Sequence, residues 1–321
     1  MIRTRIAPTP SGYLHIGNAV NFLRTWLMVR SAHGLLKLRI DDADNARTRP
    51  EYVEDIFRQL DWLGIDWDEG PSSPDDFKKN YSQLLRVERY REVLGELRLR
   101  NLLFPCTCSR SQIRKSSGNG LYPGTCRSRS TSCKGETTVR ILVPVPTEIM
   151  VNHSRVPLCQ VMGDFVVWRR DDLPAYQLAS LVDDLDDRIN LVVRGEDLLP
   201  SSAAQLFLAE KLQAEGFLRT TMLHHELIAG HQGRKLSKSD NALSLKAMRK
   251  RGVSPTEVYR VAARQLGIDP AGIEFLDDLL EGYLGFRAVK EFHLLGLTTP
   301  PAGLGERQGN GGCRNRKSHY I

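Results

Sequence analysis

The sequence predicts an α/β fold built on a parallel sheet, and three observations carry that prediction. Strand and helix patterns alternate at short spacing over residues 2–63 and again over 175–228. A glycine- and proline-rich turn joins the first strand to the first helix. A cysteine-rich stretch at 104–134 interrupts the alternation in the manner of an insert. Strands separated by a helix at this spacing pair in parallel, because the helix is the crossover that returns the chain to the same end of the sheet.

The elements follow in order. Residues 2–6, IRTRI, read as a short strand, and the turn APTPSGYLHIG comes next. Asn18 to Ser31 carries Val20, Phe22, Leu23, Trp26, Leu27 and Val29, an apolar stripe at helical spacing. LLKLRI at 35–40 is a second strand, ending abruptly in Asp41, Asp42 and Asp44. Pro50 opens a helix through Leu63, with Gly64 as its stop. Residues 81–100 form another amphipathic helix, and 104–134 read as a loop-rich insert. Strand patterns resume at 138–145 and 161–168. Ala175 to Asp186 is helical, and INLVVRG at 189–195 is an apolar strand. A helix at 203–214 leads to a strand at 221–228 and the turn AGHQGRKLSKS. Helical patterns occupy 245–251, 255–266 and 274–294, and the Gly-, Pro- and Arg-rich tail from Thr298 is expected to be disordered. The chain therefore divides into 1–100 and 175–243 as two halves of one sheet domain. Residues 101–174 are the insert, 244–297 a helical region and 298–321 a tail.

A chain of 321 residues can bury a core without disulfide staples, and 41% hydrophobic with 26% charged residues is the balance of a soluble globular protein. No stretch of about 18 apolar residues is present, which excludes a membrane-spanning helix and a membrane partner. The start MIRTRIAPTPSG has no apolar run ending in a cleavage site, so a cytoplasmic protein is expected. The net charge is +7, and residues 101–134 carry Arg110, Arg114, Lys115, Arg127, Arg129 and Lys134 with no acid. Residues 246–264 add six basic residues against Glu257 alone. A solvated face accounts for such runs, and a polyanionic partner is the alternative. Four of the six cysteines, Cys106, Cys108, Cys126 and Cys133, fall within 28 residues. In a reducing compartment that clustering points to metal or redox chemistry before disulfides.

Two short motifs carry the chemistry. In PTPSGYLHIGN (8–18), His15 and Gly17 lie at the start of a helix, where backbone N–H groups point outward and the helix dipole favours an anion. A histidine there can donate to a phosphate oxygen, and a glycine admits the close approach of a flat base. The plainer reading is a capped helix with an incidental histidine. Late in the chain, Lys235-Leu236-Ser237-Lys238-Ser239 places two lysines three apart in a glycine-flanked loop. Such a pair can meet charge spreading over a reacting triphosphate, or it is simply a solvated basic loop. Cys106-x-Cys108 followed by Cys126 has metal-ligand spacing, thiolates suit zinc, and on spacing alone Cys133 is a fair fourth ligand. The alternative is free thiols. The acidic run Asp183, Asp184, Asp186 and Asp187 could hold Mg²⁺, but such a run is more often a solvated helix end.

HIGN at the first strand–helix junction and KLSKS near the other end resemble, in this order, the paired signatures of class I aminoacyl-tRNA synthetases. The flanks RTRIAPTPSGYLHIGNA, LLKLRIDDAD, LDWLGIDWDEGP, AYQLASLVDD and LVVRGEDLL look like the glutamyl-tRNA synthetase group, from about residue 2 to about 260. Within that group the chain looks most like the glutamyl-Q tRNA(Asp) synthetases, a branch without an anticodon-binding domain. About 60 residues remain after position 260, fewer than a typical domain.

The resemblance implies a Rossmann-type catalytic sheet with an inserted zinc-binding segment and a short helical C-terminal region. It implies ATP with Mg²⁺, L-glutamate and a tRNA as partners, the last being tRNA(Asp) with queuosine, and a monomer. Carried over by position, Arg5, Ala7, Thr9, Tyr176 and Arg194 line the glutamate site. His15, Gly17, Asn18 and Lys238 hold ATP, and His15, Lys235 and Lys238 serve the activation step. Two carboxylates on the substrate call for fixed guanidinium forks, which Arg5 and Arg194 can supply. The family's strand usually ends in Ile-Glu-Asp, with that glutamate on the substrate ammonium; here Ile40-Asp41-Asp42 puts the shorter Asp41 in its place. The family's zinc site, a Cys-x-Cys pair followed by Tyr and then Cys, matches Cys106, Cys108, Tyr122 and Cys126. Three other readings stay open: a truncated glutamyl-tRNA synthetase charging a tRNA(Glu) 3′ end, a paralogue with a non-RNA acceptor, and a degenerate RNA-binding relative.

Overall fold

Two parallel strand pairs, each closed by a helix, organise the molecule. In the computed structural model, which describes residues 1–118, 120–128, 137–227 and 244–286, β1 (Arg3–Ile6) pairs in parallel with β2 (Leu35–Leu38). The helix Ile16–Ser31 connects them. Strands β3 (Leu103–Cys106), β4 (Thr138–Ile141) and β7 (Val166–Trp168) form an antiparallel sheet in the insert, and β5 (Ile149–Val151) with β6 (Ser154–Val156) forms a hairpin. Strand β8 (Leu191–Gly195) pairs in parallel with β9 (Thr221–His225) across the helix Leu199–Leu212. The two parallel pairs meet along β1 and β8. Asn190 N–H donates to Arg3 O at 3.0 Å, and Thr4 Oγ1 donates to Leu191 O at 2.8 Å. The spatial order is thus β2-β1-β8-β9, and the carboxyl ends of β1 and β8 lie side by side.

The apolar runs explain this arrangement. Along β8, Leu191 and Val193 join one core while Val192 joins the other. A strand covered on both faces reads as a continuous hydrophobic run rather than an alternation. The first core lies between β1, β2, the helix Ile16–Ser31 and the helix Pro255–Leu266. The second lies between the helices Val87–Leu99, Tyr176–Asp186 and Leu199–Leu212. A small third core in the insert consists of Phe104, Cys106, Ile113, Tyr122 and Cys126.

Most expected elements are present; besides the added hairpin Ile149–Val156, three differences stand out. The helix expected at 81–100 is split: Phe77–Tyr81 is a wide turn and Gln83–Arg86 a tight one, and the regular helix begins at Val87. The break lets Asp42 cap the second turn, accepting from Ser82 Oγ at 2.5 Å and Gln83 N at 2.7 Å. The expected strand at 161–168 is shorter, because residues 158–161 turn as a helix before Val166–Trp168 extends. The insert contains a regular helix, Arg110–Ser116, with Ser109 and Gln112 forming its capping box. Lys235, Lys238, Cys133, Cys313 and the segments 287–297 and 298–321 lie outside the described residues. No described helix is long and apolar enough to cross a membrane.

Candidate active site

A cavity of about 1040 Å³ opens between the carboxyl ends of the parallel strands and the insert. Thr9 and Asp41 line it from the turns after β1 and β2, and Tyr176 lines it from the start of its helix. Cys108, Arg140, Arg169 and Arg170 close it from the insert side. A crevice beyond the carboxyl ends of parallel strands is where open α/β sheets bind ligands.

Behind the cavity lies a buried ionic network. Asp184, on the helix Tyr176–Asp186, is fully buried. It accepts from Arg5 Nε at 2.8 Å, Arg5 Nη2 at 3.2 Å and Arg39 Nη1 at 2.6 Å. Arg39 turns its other edge to Asp41, with Nε at 2.6 Å from Oδ1 and Nη2 at 3.3 Å from Oδ2. Asp183 accepts from Gln83 Nε2 at 2.7 Å, Arg86 Nε at 2.9 Å and the Tyr90 hydroxyl at 2.8 Å. Burial pushes the Asp184 carboxyl up, but Arg5 and Arg39 prevail and pull it down to about 2. Burial works against the charge of Arg39, yet Asp41, Asp184 and Asp183 hold its pKa above the ordinary arginine value. Arg5, Arg39 and Arg86 are thus matched by Asp41, Asp183 and Asp184. Asp42, bonded to Ser82 and Gln83, has its carboxyl pushed up by burial.

Arg194 is the cation left over. It sits at the end of β8, 3% exposed, and donates from Nη1 to Gln205 Oε1 at 3.0 Å and Ser202 Oγ at 3.2 Å. Its Nη2 is buried with no hydrogen-bond partner among the described residues. Burial lowers the Arg194 pKa, and the neighbouring Arg5 and Arg39 lower it further. An orphaned guanidinium donor beside a balanced network is a site for an anionic ligand. His224 Nε2 lies 2.8 Å from Ser202 Oγ.

The first motif caps its helix. His15 caps the helix Ile16–Ser31: Gly17 N–H donates to Nδ1 at 3.1 Å, and His15 N–H donates to Asn18 Oδ1 at 3.0 Å. Because Nδ1 accepts, the neutral ring carries its proton on Nε2. A Cβ at Gly17 would meet His15 Cε1 at 2.9 Å, so the space at this glycine is filled by the imidazole. A larger residue than glycine would therefore displace the His15 ring. On either side of residues 228–243 the chain is tied to this turn. His225 Nε2 lies 2.9 Å from Asn21 Oδ1, Leu245 N–H donates to Leu14 O at 2.8 Å, and Lys246 Nζ donates to the Tyr13 hydroxyl at 2.6 Å.

The sulfur atoms of Cys106, Cys108 and Cys126 lie within 4.8 Å of one another, an arrangement that could hold a metal ion. The Cys108–Cys126 separation is 3.7 Å. Two thiolates on a tetrahedral zinc, each at about 2.3 Å, would stand about 3.8 Å apart, so the thiols fit that ion. The Tyr122 hydroxyl accepts from Cys126 N at 2.6 Å, and Arg140 stacks 4.2 Å from the Tyr122 ring centre. Burial pushes the Cys126 thiol up, but hydrogen bonds from Tyr122, the Thr107 backbone and the other two thiols bring it down to about 7.

The family described as tRNA synthetases class I (E and Q), catalytic domain, matches residues 1–279. The chain belongs to this family. It is a class I aminoacyl-tRNA synthetase-like ligase, and synthetases of this class use ATP with Mg²⁺. A glutamyl-Q tRNA(Asp) synthetase of Symbiobacterium thermophilum is 39% identical over 277 residues, covering 80% of this chain and 84% of the relative. A glutamate–tRNA ligase of Acidithiobacillus ferrooxidans is 35% identical over 275 residues, covering 82% of this chain and 56% of that ligase. The crystal structure of a glutamate tRNA ligase from Elizabethkingia meningosepticum in complex with its amino acid superposes with a TM-score of 0.69 at 25% identity. That match covers 87% of this chain and 64% of the other.

Within this synthetase Asp41, Tyr176 and Thr9 line the cavity, whereas Arg5 and Arg194 are buried outside its lining, Arg5 joined to the network that holds Asp41 and Arg194 near Tyr176. Ala7, next to β1, is half-buried and outside the lining. Neither Arg5 nor Asp41 faces solvent alone; both are engaged by the ionic network. The reading of Asp183–Asp187 as a solvated helix end is corrected for its first two members, which are buried. Arg39, Asp184, Gln83 and Gln205 are missing from the sequence-based site. Asp184 had a signal: it lies three residues after buried Leu181, on the same helix face.

The synthetase also carries a pH-sensitive contact beside Arg194. Burial and then Arg194 lower the His224 pKa from 6.5 to about 4. Between these values the unfolded chain binds the proton and the folded chain does not, so stability rises with pH. Urea unfolding is expected to show stability present above pH 6.5 and falling toward pH 4, and His224→Gln should flatten that part of the curve. An unchanged slope in the variant would place the acid sensitivity elsewhere.

Proposed function

We propose that this chain activates L-glutamate with Mg-ATP and transfers the glutamyl group to the queuosine base of tRNA(Asp). The observation that carries glutamate activation is the pair of buried guanidinium groups Arg5, in the network that holds Asp41, and Arg194, near Tyr176, with Arg194 Nη2 unpartnered among the described residues. A substrate with two carboxylates satisfies both. Arg5 uses Nε and Nη2 on Asp184, which leaves Nη1 for the side-chain carboxylate, and Arg194 with Tyr176 takes the other polar end. Asp41 faces the ammonium. The relative named glutamyl-Q tRNA(Asp) synthetase, matched over 84% of its length, supports the acceptor.

In the first step an oxygen of the glutamate α-carboxylate attacks the α-phosphorus of ATP. The bond to the β-phosphate oxygen breaks, and pyrophosphate leaves with its Mg²⁺. His15 donates from Nε2 to a phosphate oxygen, with Gly17 and Asn18 beside it, and Lys235 and Lys238 meet the growing charge on the leaving phosphates. The ties of His225 to Asn21 and of Leu245 to Leu14 support this pairing, because they hold both flanks of the lysine segment next to the His15 turn. In the second step a queuosine hydroxyl attacks the acyl carbon and AMP departs. The residues position and stabilise charge; no covalent enzyme nucleophile takes part. Cys106, Cys108 and Cys126, with Tyr122 as fourth donor, would hold a structural zinc ion, which would supply folding energy to a lobe whose own core among the described residues is the small cluster around Phe104 and Ile113.

Three measurements test this reading. Lys238→Ala should lower the rate of glutamate-dependent ATP–pyrophosphate exchange by about 100-fold while leaving the KM for glutamate within about threefold; unchanged exchange would remove the lysine from the reaction. Labelled glutamate should pass to tRNA(Asp) that carries queuosine and not to tRNA(Asp) without it. Labelling of a tRNA(Glu) 3′ end instead would favour a truncated glutamyl-tRNA synthetase. Native mass spectrometry should find one zinc per chain, lost in Cys126→Ser; full retention in that variant would exclude the thiol site.

A further inference from the structure

We propose that Asp184 is a positioning residue that sets the length of amino acid this site accepts, by holding Arg5 and Arg39 on one buried carboxylate. The inference rests on the reading of Arg5 and Asp41 as opposite ends of the glutamate site. Asp184 does not line the cavity, so it acts only through the groups it holds.

The geometry is a continuous brace. Arg5 forks onto Asp184 with Nε at 2.8 Å and Nη2 at 3.2 Å. Arg39 Nη1 reaches the same Oδ1 at 2.6 Å, and Nε and Nη2 of Arg39 fork onto Asp41 at 2.6 and 3.3 Å. Arg5, Arg39 and Asp41 are each 6% exposed and Asp184 is 0% exposed. Each bond is charge-assisted, and a planar guanidinium fixes both carboxylates it touches in direction as well as distance. Ser180, one turn before Asp184 on the same helix, accepts a further bond from Arg39 Nη2 at 3.3 Å. Three elements therefore share one frame: β1 through Arg5, the end of β2 through Arg39 and Asp41, and the helix Tyr176–Asp186 through Asp184.

A fixed frame matters more with an aspartate at position 41 than it would with a longer side chain. A long carboxylate arm can follow its ligand, whereas Asp41 has two side-chain torsions and both its oxygens on Arg39. The span between Arg5 Nη1 and the Asp41 carboxylate is then set by the brace, and a substrate must match it. A misplacement of about 1 Å costs up to about 100-fold in rate, and one methylene in a binding site is worth about 10- to 200-fold in discrimination. Aspartate, one methylene shorter than glutamate, is the competitor that such a span rejects.

The test compares glutamate and aspartate as substrates of ATP–pyrophosphate exchange in the full chain, with bulk tRNA present. Asp184→Asn keeps the shape of the side chain and removes its charge. Arg39→Lys keeps the charge and removes the double fork, and it serves if the first variant does not fold. In both, the KM for glutamate is expected to rise about 10- to 100-fold and the preference for glutamate over aspartate to fall about tenfold, with the KM for ATP within about twofold. A merely structural role would lower activity with both amino acids alike and leave the preference intact, and that result overturns the proposal alone. A wild-type chain without glutamate-dependent exchange overturns the glutamate reading and the proposal together.

Discussion

The carboxylate of Asp184 lies in the interior with two guanidinium groups against it, and the rest of the site follows from that enclosure. A buried carboxylate loses several kcal/mol of hydration, and only close, well-directed partners return it. Arg5 comes from the first strand and Arg39 from just past the second, so the ion regains its solvation only when β1, β2 and the helix Tyr176–Asp186 are assembled in register. The depressed Asp184 pKa states the same balance from the other side: the folded chain keeps the ion despite complete burial. Because charges inside this network are matched, the extra cation Arg194 stands out. Its Nη2 is a buried donor with no partner among the described residues, a demand that an anionic acceptor would meet.

Much of the fold was legible because its long elements carry strong apolar patterns. The run at β8 was readable since both its faces are covered, and the helix Ile16–Ser31 since its stripe packs on β1, β2 and the helix Pro255–Leu266. The hairpin Ile149–Val151 and Ser154–Val156 was not readable, because three residues are too few to show a period. The acidic run shows a different limit. Asp186 and Asp187 do sit near the surface, bonding to Arg86, Arg89 and Lys37, whereas Asp183 and Asp184 turn inward. Four acids in five positions look alike along the chain; only helix register and distant arginines separate them. The capping role of His15 was legible from its place at the helix start, and capping through Nδ1 leaves the proton on Nε2.

The insert extends the same logic to the cavity wall. Its basic run looked uniform, but the arginines have different tasks. Arg127 is exposed but forks onto the buried Asp164 at 2.6 and 3.0 Å, and Asp164 also accepts from Val143 N at 2.9 Å, so that charge is paired. Arg140 donates to Asp164 O at 2.7 Å and stacks on Tyr122, whose hydroxyl sits against Cys126. The thiol cluster is thereby tied through one aromatic ring to an arginine that lines the cavity. Binding of a metal at the thiols would fix Tyr122, and through it the Arg140 side of the cavity wall. Arg110, Arg114 and Lys115, by contrast, are exposed and make no ion pair among the described residues. They ride on the short capped helix beside the cavity mouth, and an exposed cation with no acid nearby keeps its field for a partner. The positive charge of the insert therefore divides by pairing. Arg127 and Arg140 brace the wall of the site through Asp164, and the exposed cations without an ion pair among the described residues are the portion that an RNA backbone could neutralise.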